Sequence, residues 1–162
     1  QTQTRGVASS AYGAVVAALG KELAGDFGGA KSAYASAAAA AAGSSDAATV
    51  AASAFAFAAA GQLDQAQQAF DRARGLGGGS PGVQAILKAA EARIATASGK
   101  DATDLYDDAR SLARRDPTYL LPYLAAAQNE VRQGGSASTV IQSIPETAHP
   151  TPEEQAALAA VR

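Results

Sequence analysis

The sequence predicts an all-α fold of about four antiparallel helix pairs in a single domain, on three observations. Small and aromatic residues recur at a spacing of 36: Ala30, Ala66 and Ala102 form one register, Tyr34, Phe70 and Tyr106 a second, and Ala37, Ala73 and Ala109 a third. Around these landmarks apolar residues return every three or four positions, the period of an amphipathic helix. Glycines and prolines punctuate the intervals at Gly25, Gly61, Pro81, Gly99, Pro117 and Gly134, where helices of ordinary length have to stop. Alanine dominates the 48% apolar share. It leads the helix-propensity scale but buries little area, so the core has to come from close helix approach rather than from bulk.

Residues 1–6 are polar and end in glycine, which predicts a frayed start. Val7, Ala11, Ala14, Val15, Ala18 and Leu19 then make the stripe of a first helix that runs to about Ala24. Gly25-Asp26 turns the chain into a second helix from about Phe27 to Ala42, with Gly43 as its C-terminal glycine. Ser44, Ser45 and Asp46 offer the N-cap of a third; it runs to about Ala60, is apolar on nearly every side, and is therefore central. After Gly61, Leu63, Ala66, Phe70 and Ala73 form the stripe of a fourth helix. GLGGGSPG, 75–82, is a flexible break, and Pro81 suits the first position of a fifth helix, with Val83, Ile86, Leu87, Ala90, Ile94 and Ala97 on its apolar face. Asp101 caps a sixth, in which Leu105, Ala109 and Leu112 face inward and Arg114 and Arg115 sit at the negative end of the dipole. Pro122 lacks a donor for the carbonyl of Thr118, so the seventh helix has a bent start and becomes regular near Leu120 or Leu121. Gly134-Gly135 ends it, a short helix follows over about 136–143, and Pro145, Pro150 and Pro152 interrupt the chain. Thr151-Pro152-Glu153-Glu154 carries a capping-box pattern ahead of Ala157, Leu158 and Val161, which predicts a capping helix over 151–162.

A glycine, a short polar step, then small, aromatic and small residues at fixed offsets resembles the second helix of a tetratricopeptide repeat. Counting 12 residues back from Ala30, Ala66 and Ala102 gives Ala18, Ala54 and Ala90, where that family places a small residue on its first helix. The family period is about 34 residues; each copy here is two longer, which predicts a lengthened second helix. The resemblance covers roughly 8–144, although the family's Trp-Leu-Gly-Tyr signature is missing and the third turn glycine slips to Gly99. It implies a right-handed α-solenoid with units of about 7–43, 44–79, 80–116 and 117–144, closed by the C-terminal capping helix that a stack needs over its end.

In the resembled family the first helices line a concave, peptide-gripping face. Carried over residue by residue, that face comprises Tyr12, Val15, Val16 and Leu19; Phe55 and Ala59; Leu87, Lys88 and Glu91; and Tyr123, Leu124 and Ala127. It is mostly apolar, and only Lys88 matches the basic and amide residues with which some members clamp a terminal carboxylate. The resemblance therefore implies a noncatalytic scaffold that binds a partner peptide or helix in an apolar groove. A groove filled by the chain's own last helix, in a self-associating structural subunit, is the alternative.

Enzyme chemistry finds little purchase. GDFGGAKS, 25–32, falls short of a phosphate loop because Ala30 stands where the second glycine belongs and a helical stripe, not a strand, precedes it. His149 is the only histidine and cysteine is absent, so no metal site is indicated. Asp107-Asp108 and Glu153-Glu154 are adjacent pairs that diverge around a helix and read as surface residues, and the aromatic register of Tyr34, Phe70 and Tyr106 reads as core. No cofactor is expected. A net charge of −2 without a basic block argues against nucleic acid, and no run approaches the ~20 apolar residues that span a bilayer. The polar start Gln-Thr-Gln-Thr is of the kind secretory cleavage leaves, so export to the periplasm or a bacterial cell-envelope assembly is expected, with a cytoplasmic location as the alternative.

Overall fold

The computed structural model describes residues 2–76 and 79–161, with side chains from Ala11 onward. Val7 of the first stripe and Arg162 of the capping helix thus lie outside the described side chains. Among the described residues there are nine helices and no strand: α1 Thr2–Leu23, α2 Phe27–Ala42, α3 Ala47–Ala59, α4 Leu63–Gly75, α5 Pro81–Ala97, α6 Thr103–Arg115, α7 Leu121–Arg132, α8 Ala137–Gln142 and α9 Pro152–Ala159. α1 begins at Thr2, and no proline interrupts it. The second helices are not uniformly lengthened: α2 has 16 residues but α4 and α6 only 13.

The turns obey one rule. The first helix of each pair ends at a glycine in the left-handed region, Gly25, Gly61, Gly99 and Gly134, with φ between 83° and 91°. After each, the next amide donates to a carbonyl five residues back: Asp26 to Lys21, Gln62 to Phe57, Lys100 to Ala95 and Gly135 to Glu130. This is the Schellman closure, which only glycine enters without strain. Gly43, expected to end α2 in the same way, has φ −82° and needs no glycine conformation. The N-termini are capped by Asp26, Asp46, Ser80, Ser136 and Thr151, the last in a complete capping box with Glu154. Asp101 stands one residue ahead of the α6 cap and accepts from the Thr103 amide and hydroxyl instead.

Successive helices from α1 to α8 pack each against the next, and α3 also packs against α1 and α5. α7 packs on α5 and returns to touch α1, while α9 lies on α1 and the edge of α7. The four first helices therefore form an inner layer. Alanines Ala18, Ala54 and Ala90 are fully buried there, as the need for close approach requires. Every residue of α3 from Ala48 to Ala58 is enclosed, including Thr49 and Ser53; Thr49 is satisfied by Asp46 and Ser53 by the Val50 carbonyl.

At the centre of this layer Arg93 of α5 reaches Glu22 of α1. Its two terminal nitrogens donate to the two carboxylate oxygens at 3.1 and 2.6 Å, and the Tyr34 hydroxyl donates to the same carboxylate at 2.7 Å. The guanidinium lies 5.8 Å from the Tyr34 ring centroid and 5.4 Å from that of Phe55. One charged pair thereby ties α1, α2, α3 and α5 together.

Candidate functional site

The face carried over from the first helices is largely interior. Tyr12, Val15, Val16, Leu19, Phe55, Tyr123 and Leu124 are buried, most of them completely. The expectation that these residues line an open groove is corrected: their side chains are enclosed between packed helices, and α9 covers the α1 side. Leu87, Lys88 and Glu91 behave differently. They are only partly covered, and they line a cleft of about 530 Å³.

The cleft lies where α4, α5 and α6 meet. α5 supplies Leu87, Lys88, Glu91 and Gln84; α4 supplies Phe70, Gln67 and Arg74; α6 supplies Leu112. Its floor is apolar, from Phe70, Leu87 and Leu112, and its rim is polar. The Arg74 guanidinium stands 5.8 Å from the Phe70 ring centroid, a distance at which ring and cation attract. Lys88 and Glu91 pair across one turn at 3.4 Å, both substantially exposed, so their contact contributes little to stability. Arg74 makes no ion pair among the described residues.

The repeat register shows how this junction differs from the others. Tyr34 and Tyr106 are 1% and 3% exposed, whereas Phe70 in the same register is only half-buried. In the first junction the Tyr34 ring meets Phe55 edge-on at 6.0 Å. Adding 36 to Phe55 gives Glu91, so where the first junction has an aromatic lid the second has a charged side chain turned to water. α4 and α5 pack less closely than α2 and α3, and residues 77–78 of the glycine-rich break between them lie outside the described residues. The expectation that Phe70 is core packing is therefore corrected in part.

GDFGGAKS forms the α1–α2 turn, where the Asp26 carboxylate already accepts the Gly29 amide at 3.0 Å and Ala30 is buried. His149 is exposed between α8 and α9. Asp107 pairs with Arg110 at 2.8 Å, and Asp108 is exposed. Glu153 is exposed but Glu154 is completely buried, so the reading of both as surface residues is corrected for Glu154. Among the described residues no three His, Cys, Asp or Glu side chains gather as metal ligands, and no helix is long and apolar enough to cross a membrane.

The interior tyrosines are shifted by their surroundings. Burial pushes Tyr34 well above its ordinary value, and the charge of Glu22 adds to this. Burial also raises Tyr106, although the nearby Arg93 charge opposes it. Neither faces an opening that would admit a substrate. Comparison with protein-family models, with curated proteins and with solved structures finds no match for this chain.

Proposed function

We propose that the chain is a noncatalytic interaction scaffold, a right-handed stack of tetratricopeptide-like helix pairs, whose cleft between α4, α5 and α6 receives a partner peptide. The observation that carries this reading is the half-buried Phe70, beside which Glu91 stands in the register that Phe55 occupies next to Tyr34. An apolar floor beside a cation without a carboxylate partner suits a large aliphatic or aromatic side chain next to an acidic one. The side chain removes the exposed faces of Phe70, Leu87 and Leu112 from water, and the acid pairs with Arg74. Burial of one such side chain contributes about 1.5–3 kcal/mol, and a charge-assisted bond to the guanidinium adds direction.

A displayed library of short peptides, selected on the full chain, tests this. Enriched sequences should share an apolar residue adjacent to Asp or Glu. Their affinity should fall roughly tenfold or more in Leu87→Glu, as it does when a central apolar contact is lost, while the far-ultraviolet circular dichroism stays helical. Selected peptides that bind Leu87→Glu and Arg74→Ala as tightly as the natural chain would remove the cleft from the mechanism.

A further inference from the structure

The seat of α9 shows chemistry that a plain end-cap does not require. Glu154 is completely buried, yet it forms no ion pair among the described residues. One carboxylate oxygen accepts from the Tyr12 hydroxyl at 2.6 Å and from the Leu120 amide at 2.8 Å; the other accepts from the Thr151 amide at 2.9 Å. The Tyr12 hydroxyl in turn accepts from the Leu121 amide at 3.1 Å. The first amides of α7, left without helical partners, are thus satisfied by a side chain from α9 and one from α1. Farther along α9, Ala157 lies so close to α1 that a Cβ on Gly20 would stand 3.3 Å from its Cα and Cβ. Glycine inside a helix is unfavourable by about 1 kcal/mol relative to alanine, and here it makes room for a second helix.

These contacts define a socket with two reading points: a donor pair for one acidic side chain, from Tyr12 and Leu120, and a glycine floor one helical turn away for a small one. We infer that this socket on α1 and the start of α7 is a helix-binding site, that α9 is its resident ligand, and that α9 of a second copy of the chain can replace it. Two features favour a second copy as the occupant. A copy carries the Thr-Pro-Glu-Glu-x-x-Ala-Leu pattern by construction, and α9 hangs on a nonhelical segment, 143–151, with prolines at 145 and 150. A short helix on such a tether exchanges between protomers at low free-energy cost. The resident helix competes through its high effective concentration, so exchange is weak until the helix is loosened. The socket shares no residue with the cleft between α4, α5 and α6.

The probe is a labelled peptide of residues 146–162, titrated by fluorescence polarisation against full-length chains. In Glu154→Gln the amide nitrogen faces donors where an oxygen accepted before, so the resident helix is loosened while the peptide keeps its carboxylate. The expected result is peptide binding at least tenfold tighter to Glu154→Gln than to the natural chain, with fast hydrogen exchange confined to the α9 amides. Gly20→Leu fills the socket, so α9 exchanges fast there too but the peptide does not bind. Should Glu154→Gln lose helix beyond α9, Ala157→Leu, which disturbs only the contact with Gly20, takes its place in the same comparison. Equal peptide binding to the loosened and natural chains overturns the inference, as does α9 protection unchanged by the substitution. Binding to Gly20→Leu as tight as to Glu154→Gln places the peptide elsewhere and overturns it equally.

Discussion

Glu22 and Arg93 bring opposite charges into a part of the core where neither would be stable alone. Their side chains are 9% and 12% exposed, so the pair is desolvated far beyond a surface ion pair. Burial by itself pushes the Arg93 guanidinium down, but the hydrogen bonds and charge of Glu22 raise it further, and it remains protonated. The Tyr34 hydroxyl takes up a further lone pair of the carboxylate, and the aromatic faces of Tyr34 and Phe55 flank the cation. Breaking such a pair on one side leaves a buried, uncompensated charge. Arg93→Met should therefore destabilise the chain by about 3 kcal/mol in urea titration, and Glu22→Gln with Arg93→Met should recover part of that loss. A loss of less than ~1 kcal/mol for the single variant, the range of exposed pairs, would show that water reaches the pair. Nothing in the sequence marks this contact. Glu22 and Arg93 lie 71 positions apart, in different repeat registers, and pairing them needs the three-dimensional arrangement of α1 and α5.

Each first helix is stopped by backbone geometry and each second helix by composition. That difference gives the glycines opposite expected responses. Gly61 has φ 83° and Gly43 φ −82°, and at neither would an added Cβ meet an atom within 4 Å. Any effect of alanine at these two positions comes from the backbone alone. Gly61→Ala should cost about 1–2 kcal/mol, the penalty of a left-handed alanine, while Gly43→Ala should be neutral or stabilising by up to about 1 kcal/mol; paired thermal melts read the difference. Equal melting points would mean that the α3–α4 turn relaxes. The helices themselves were legible in the sequence because each signal was local: α2 spans Phe27–Ala42 as the stripe and flanking glycines require, α7 becomes regular at Leu121 beside Pro122, and the Thr151 capping box forms as written. The candidate site was less legible. Leu87, Lys88 and Glu91 line the cleft, but whether a first-helix residue faces a groove or the core depends on how closely neighbouring helices approach. That distance depends on small residues of both helices together, which no single helix stripe records.

The core runs without interruption from α9 through α1, α3 and α5 to α7, and buried tyrosines sit at its junctions. Tyr12 joins α1 to α7 and α9, Tyr34 joins α2 to the central ion pair, and Tyr106 carries the same register into α6. All three hydroxyls are held above their ordinary value of 10.0, first by burial; for Tyr12 and Tyr34 the neighbouring carboxylates Glu154 and Glu22 raise them further. The consequence is a stability that depends on pH at the alkaline end. An unfolded tyrosine gives up its proton near pH 10, while the folded one keeps it to higher pH, so above about pH 10 the folded state binds more protons than the unfolded state. Stability contributed by these groups is complete below pH 10 and falls above it, by about 1.4 kcal/mol per pH unit for each tyrosine still protonated in the folded chain. Three such groups acting on a total of roughly 5–15 kcal/mol should unfold the molecule within a narrow alkaline interval. Because the junctions share one core, helix content at 222 nm and phenolate absorbance at 295 nm should change together, with Tyr34→Phe shifting the midpoint upward once its loss of neutral-pH stability is subtracted. A phenolate signal near pH 10 that Tyr34→Phe diminishes, with helix content intact, would mean that this hydroxyl ionises in place, and that the packing of α2 over it opens without unfolding the rest.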